Sequence, residues 1–114
     1  MKKLILTLFF LFPFIAFSQT SPCKEDICVV LFNADWNNAN HVEWVEELDD
    51  CGYKYIDIAT NTDAQSKYEI VVVPTIIVFN GKEVKRFQAD ISFAMKATKK
   101  DVQAIIDEII MSDF

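Results

Sequence analysis

Cys28-Val29-Val30-Leu31-Phe32-Asn33-Ala34-Asp35-Trp36-Asn37-Asn38-Ala39-Asn40 is the stretch on which the reading of this chain turns. Its first half is β-branched and aromatic, which predicts a buried strand over Ile27 to Asn33. The run breaks at Asn33-Ala34-Asp35, passes Trp36, and enters a segment with apolar residues at Val42, Val45 and Leu48. That spacing predicts a helix over about Ala39 to Asp50, with Asn37, Asn38 and Asn40 as N-cap candidates. Glu43, Glu46, Glu47, Asp49 and Asp50 would form its solvated acidic face.

Downstream, Cys51-Gly52 is a helix stop, and Tyr53 to Ala59 is a second strand. A strand that returns across a helix pairs in parallel, giving a β-α-β unit. A short helix over Thr62 to Tyr68 precedes Glu69-Ile70-Val71-Val72-Val73-Pro74-Thr75-Ile76-Ile77-Val78-Phe79, whose end is a buried strand. Asn80-Gly81 signals a tight hairpin, with Lys82 to Gln88 returning antiparallel. After a long link, Ala89 to Ala97, Thr98-Lys99-Lys100-Asp101 reads as a capping box. The helix it opens carries Val102, Ile105, Ile106, Ile109 and Ile110 on one side, and Ile91, Phe93 and Met95 of the link are expected to pack beneath it.

Ala34-Asp35-Trp36 at a strand end, Val73-Pro74-Thr75 before a strand, the Asn-Gly hairpin and the terminal amphipathic helix together resemble the thioredoxin-like superfamily. The resemblance covers residues 26 to 111. It implies an α/β thioredoxin fold, β-α-β-α-β-β-α. The central four-stranded mixed sheet, in the order second, first, third, fourth, would be flanked by helices. It also implies a cis Val73–Pro74 bond facing the turn after Trp36. In the family that turn is Cys-x-x-Cys; here Asn37 and Asn40 stand at the two cysteine positions. The family's buried acid falls at Leu31 and its neighbouring lysine at Tyr55, so three parts of the exchange chemistry are replaced.

The 114 residues suffice for one small domain. Met1-Lys2-Lys3 followed by the apolar run Leu4 to Phe17 and by Ala16-Phe17-Ser18 reads as a signal peptide over 1–18. The run is shorter than the roughly 20 residues that span a bilayer, so no membrane attachment is expected after cleavage. Residues 19–26 form an arm and 27–114 the thioredoxin-like domain, exported to the periplasm or secreted. Seventeen acids against eleven bases give a net charge of −6, and losing Lys2 and Lys3 lowers it to −8. Nucleic acid is disfavoured as a partner.

Cys23, Cys28 and Cys51 cluster at the end of the sheet opposite Asn37 and Pro74, because parallel strands start at the same end. In an oxidising compartment a Cys23–Cys51 bridge is expected, with Cys28 left as a small apolar residue; Cys28–Cys51 is the alternative. Asp35, Asn40 and His41 fall short of a metal ligand set, and no cofactor is expected. With only two glycines, Gly52 and Gly81, the chain has no phosphate loop. The resemblance therefore implies a protein- or peptide-binding module whose site is Trp36, Asn37, Asn40, Val73 and Pro74. The competing expectation is a thiol-disulfide oxidoreductase using Cys23, Cys28 or Cys51. Mass spectrometry of the chain recovered from the envelope should give an N-terminus near Gln19; intact Met1 there would refute export with cleavage.

Overall fold

The computed structural model describes residues 21–112; the signal-peptide reading of 1–18 lies outside them. Four strands, β1 (Ile27–Asn33), β2 (Gly52–Asp57), β3 (Thr75–Asn80) and β4 (Lys82–Gln88), form one sheet in the order β2-β1-β3-β4. β1 and β2 are parallel, whereas β3 is antiparallel to both β1 and β4. Two α-helices, α1 (Thr62–Lys67) and α2 (Lys99–Ser112), cover opposite faces. The expected strand order is the observed one.

β1 is buried from Cys28 onward because it has a strand on each side and a layer on each face. Its even positions, Cys28, Val30 and Phe32, pack with Ile56, Tyr68, Ile77 and Phe79 on the α1 face. Its odd positions, Val29 and Leu31, meet Val45, Leu48, Ile76, Val102 and Ile106 on the α2 face. Strand parity thus divides one apolar run between two cores.

The short elements end where their side chains dictate. Asn61 caps α1 by accepting from the Ala64 N–H at 3.2 Å. Thr98 and Asp101 cap α2 reciprocally, the Thr98 N–H donating to the Asp101 carboxylate at 2.9 Å and the Asp101 N–H to the Thr98 hydroxyl at 3.2 Å. Gly81 turns the β3–β4 hairpin at φ +81°, a conformation that glycine adopts without steric cost. Arg86 reaches from β4 to the carbonyls of Tyr68 and Glu69, at 2.8 and 2.9 Å, and is itself paired with Glu83.

The expected helix over 39–50 is replaced by two 3-10 turns, Asp35–Asn40 and Glu43–Glu47, separated by extended backbone at His41 and Val42. Val42, Val45 and Leu48 are all buried. Their spacing of three matches the 3.0-residue period of a 3-10 helix better than 3.6. Asparagine, histidine and valine, abundant between Asn37 and Val45, are also among the weaker α-helix formers.

The expected bridge is corrected too. Cys23 pairs with Cys28, with Cα atoms 6.1 Å apart, and Cys51 is a free thiol. Pairing in the sheet explains why: Gly52 lies opposite Cys28 across β1 and β2, and Cys51 packs on the α2 face while Cys28 and Cys23 belong to the α1 face. The sheet separates the two sulfurs. The arm folds back over Cys28 instead, anchored by the Ser21 N–H on the Gly81 carbonyl at 2.9 Å. The five-residue separation constrains the unfolded chain less than the expected 28-residue one would, about 2 against about 3.6 kcal/mol on the loop-entropy argument.

Burial, followed by the carboxylates of Asp49 and Asp50, raises the Cys51 thiol from 9.0 to about 11. Below pH 9 the thiol is protonated whether the chain is folded or not. Above it the unfolded chain ionises first, so the stability that the neutral thiol contributes is lost as pH rises from 9 towards 11. The melting temperature should therefore fall more steeply over this window in the wild type than in Cys51→Ala. Tyr53 and Tyr55, also shifted upward, remain in both proteins. Identical slopes would exclude the effect.

Candidate functional site

β1 delivers its C-terminal end, with Asn33 and Ala34 buried, to the turn that carries Trp36. On the neighbouring strand the Val73–Pro74 bond is cis, as expected, and Thr75 pairs with Phe32. The Thr75 hydroxyl donates to the Val72 carbonyl at 2.6 Å, and the Ala89 N–H donates to the Pro74 carbonyl at 3.0 Å. The proline loop and the start of the 89–97 link are thereby joined beside the Trp36 turn.

Asn37 faces inward. It is 6% exposed, and its amide donates to Asn33 Oδ1 at 3.1 Å and to the Phe93 carbonyl at 3.2 Å. Its own Oδ1 accepts from Asn40 Nδ2 at 2.9 Å. Asn37 and Asn40 thus bond to each other, and Asn37 ties the turn to the 89–97 link. The turn that contains them, Asp35–Asn40, is a short 3-10 element and not an α-helix.

The link departs from expectation. Met95 does pack on the α2 side, but Ile91 is almost wholly exposed and Phe93 turns the other way, onto Trp36. The two rings meet edge to face with centroids 5.5 Å apart. Phe93 has φ +64°, a left-handed backbone that breaks the alternation on which the expectation rested. Asp90 holds this turn: its carboxylate accepts from the Ser92 hydroxyl and N–H and pairs with Lys96 at 3.3 Å, interactions that bring its pKa down to about 2.

Trp36, Ile58, Gln65, Ile70, Val71, Val72, Val73 and Phe93 line a shallow cavity of about 110 Å³. Its rim is apolar and open to solvent: Trp36 is 65%, Val71 82% and Phe93 41% exposed. Of the five expected site residues, Trp36 and Val73 meet here. Asn37 and Pro74 are buried outside the cavity and Asn40 is half-buried beside them. Val71 and Phe93 are additions. Val71 reads in sequence as one of three equivalent valines, and no sequence signal brings Phe93 to a tryptophan 57 positions away. Leu31 is fully buried opposite Tyr55, and the Tyr55 phenol is shifted upward by burial and then by Asp57 and Asp35.

No family model matches the chain, and no curated protein does. Solved structures do. A mutant thioredoxin of Halobacterium salinarum is 24% identical, with 73% of this chain and 74% of that one covered at a TM-score of 0.57. Thioredoxin of Fasciola hepatica is 27% identical over 72% and 79%, at 0.56. Thioredoxin-2 of the malaria parasite, described as a component of its protein secretion machinery, is 18% identical over 75% and 85%, at 0.57.

The buried asparagine network yields a direct expectation. Asn37→Ala leaves Asn33 Oδ1 and the Phe93 carbonyl without their donor and should cost about 1–3 kcal/mol in urea denaturation. Asn40→Ala, at a half-buried position, should cost less than about 1 kcal/mol. Equal costs would deny Asn37 its structural role. The sheet order, the cis-proline beside the tryptophan turn and the likeness to these structures together establish that the chain has the thioredoxin fold.

Proposed function

We propose that this domain is an exported binding module for an extended peptide or protein segment, working without a thiol pair at the turn after Trp36. The observation that carries the reading is the exposed apolar rim of Trp36, Val71 and Phe93 around a cavity floored by Ile58, Ile70 and Val73. Large side chains left in water around a concavity are a recognition feature when they are contiguous. The cavity is of a size for one aliphatic side chain, and the backbone ahead of Pro74 offers an edge along which a peptide could lie. Asn37 and Pro74 support this site from behind, as scaffold. After signal cleavage the chain would act in the periplasm or outside the cell, with no nucleic acid and no membrane as partner.

The Cys23–Cys28 bridge favours a second reading, a thiol-disulfide oxidoreductase. Its sulfurs lie at the other end of β1, five strand residues or about 17 Å from Asn33. Cys51, pushed to about 11 and on the other face of the sheet, is a poor resolving thiol for it.

One experiment separates the readings. Proteins captured from envelope extract by the wild type are identified, purified and titrated against wild type, Trp36→Ala and Val71→Ser. Binding that both substitutions weaken by about tenfold or more, with no insulin-type disulfide turnover, is expected; each is a loss of about 1.4 kcal/mol or more at a well-packed anchor. Undiminished binding removes the Trp36 site. Robust wild-type turnover that vanishes in Cys23→Ser would replace the binding module by the oxidoreductase.

A further inference from the structure

The arm that carries the bridge holds a third potential ligand. Sulfur atoms of Cys23 and Cys28 and a carboxylate oxygen of Glu25 all lie within 4.8 Å of one another. We propose that, when the bridge is reduced, Cys23 Sγ, Cys28 Sγ and the Glu25 carboxylate bind a zinc-class divalent cation. This goes beyond the peptide-binding reading and does not depend on it.

Three observations support the site. First, four residues separate the two cysteines, within the Cys-x2–4-Cys range common among zinc ligands, and all three ligands come from one six-residue segment. Zinc–sulfur bonds of about 2.3 Å in a tetrahedron put the sulfurs about 3.8 Å apart, a separation that Cα atoms 6.1 Å apart allow. Cys28 is fixed in β1 while Cys23 sits on the arm, so the arm supplies the small adjustment.

Second, the Glu25 carboxylate lies over Gly52, beside the bridge. A Cβ at Gly52 would lie 2.5 Å from Glu25 Oε1, so the carboxylate occupies the space that glycine leaves open on β2. Third, a cavity of about 360 Å³ is lined by two of the three ligands, Cys23 and Glu25, together with Asp26, so that a cation can reach them from solvent and complete its four-ligand set with water. Two thiolates with one carboxylate suit zinc better than copper(I), which prefers sulfur alone. Cys51 takes no part, being on the opposite face of the sheet.

The redox step balances with a dithiol reductant. Its two sulfurs join in a disulfide as it passes two electrons and two protons to the bridge, leaving Cys23 and Cys28 as thiols. The cation then displaces those two protons to solvent as it binds the thiolates. A small-molecule disulfide reverses the step: it takes the two electrons from the thiolates and two protons from solvent to become a dithiol, the bridge closes and the cation is released. Binding is thereby confined to the reduced chain.

Cobalt(II) is the probe, because thiolate ligation gives it a strong near-ultraviolet charge-transfer band. The purified chain is reduced with a phosphine, which unlike a dithiol does not itself chelate the metal, and is titrated beside the oxidised chain. One equivalent bound with the band in the reduced chain, none in the oxidised chain, and displacement by zinc are expected. Glu25→Gln and Gly52→Ala should each weaken binding by about tenfold or more, the second by pushing Glu25 aside. Cys51→Ser should bind as wild type does. Cys28 is a core residue whose variant can misfold, so Cys23→Ser on the arm is the decisive thiol variant and should lose the band. No band in the reduced chain, a band kept in Cys23→Ser, a band lost in Cys51→Ser, or equal binding by the oxidised chain would each overturn the site.

Discussion

Burial of β1 on both faces and both edges is the constraint from which the rest of the molecule follows. A strand with neighbours on each side has no free backbone groups, and one covered on each face cannot spend any position on a polar surface. Its alternation then assigns every adjoining element to a side. α1 and Tyr68 belong to the Cys28–Val30–Phe32 face, and α2 with the 3-10 turns belongs to the Val29–Leu31 face. The two ends of this strand are the two places where polar chemistry gathers.

At the C-terminal end, the chain leaves the sheet through a buried amide network. Asn33 and Asn37 satisfy one another, and Asn37 reaches the Phe93 carbonyl across the fold. Buried amides are costly unless their donors and acceptors are matched, and here the 89–97 link supplies one of the matches. The link in turn brings Phe93 to Trp36. A segment that reads as packing for the last helix instead builds one wall of the candidate binding cavity.

At the N-terminal end, the arm folds onto β1 through the Cys23–Cys28 bridge, the Ser21–Gly81 hydrogen bond and the seat of Glu25 over Gly52. The one disulfide among the described residues lies there. The fold is shared with thioredoxins, while the sulfur atoms sit at the opposite end of the strand. The fold by itself does not decide what chemistry the chain performs.

The sequence by itself determined the strand order, the hairpin at Asn80-Gly81, the capping box at Thr98 and Asp101, and the cis bond at Val73–Pro74. The hairpin and the capping box rest on local signals, turn residues and a cap, whereas the strand order and the cis bond rest on the resemblance to the thioredoxin-like superfamily. The tertiary structure decided what depends on direction and competition. Whether Val45 sits on an α-helix or on a 3-10 turn flanked by extended Val42 and Leu48 depended on a spacing of three and on side chains that favour neither strongly. Which cysteines pair depended on the parity of Cys28 against Cys51 on two registered strands. That the Phe93 carbonyl meets Asn37 and its ring meets Trp36 depended on a left-handed residue in a long link. The parity of Cys28 against Cys51 and the meeting of Phe93 with Trp36 arise between residues far apart in sequence, which no short window along the chain contains together.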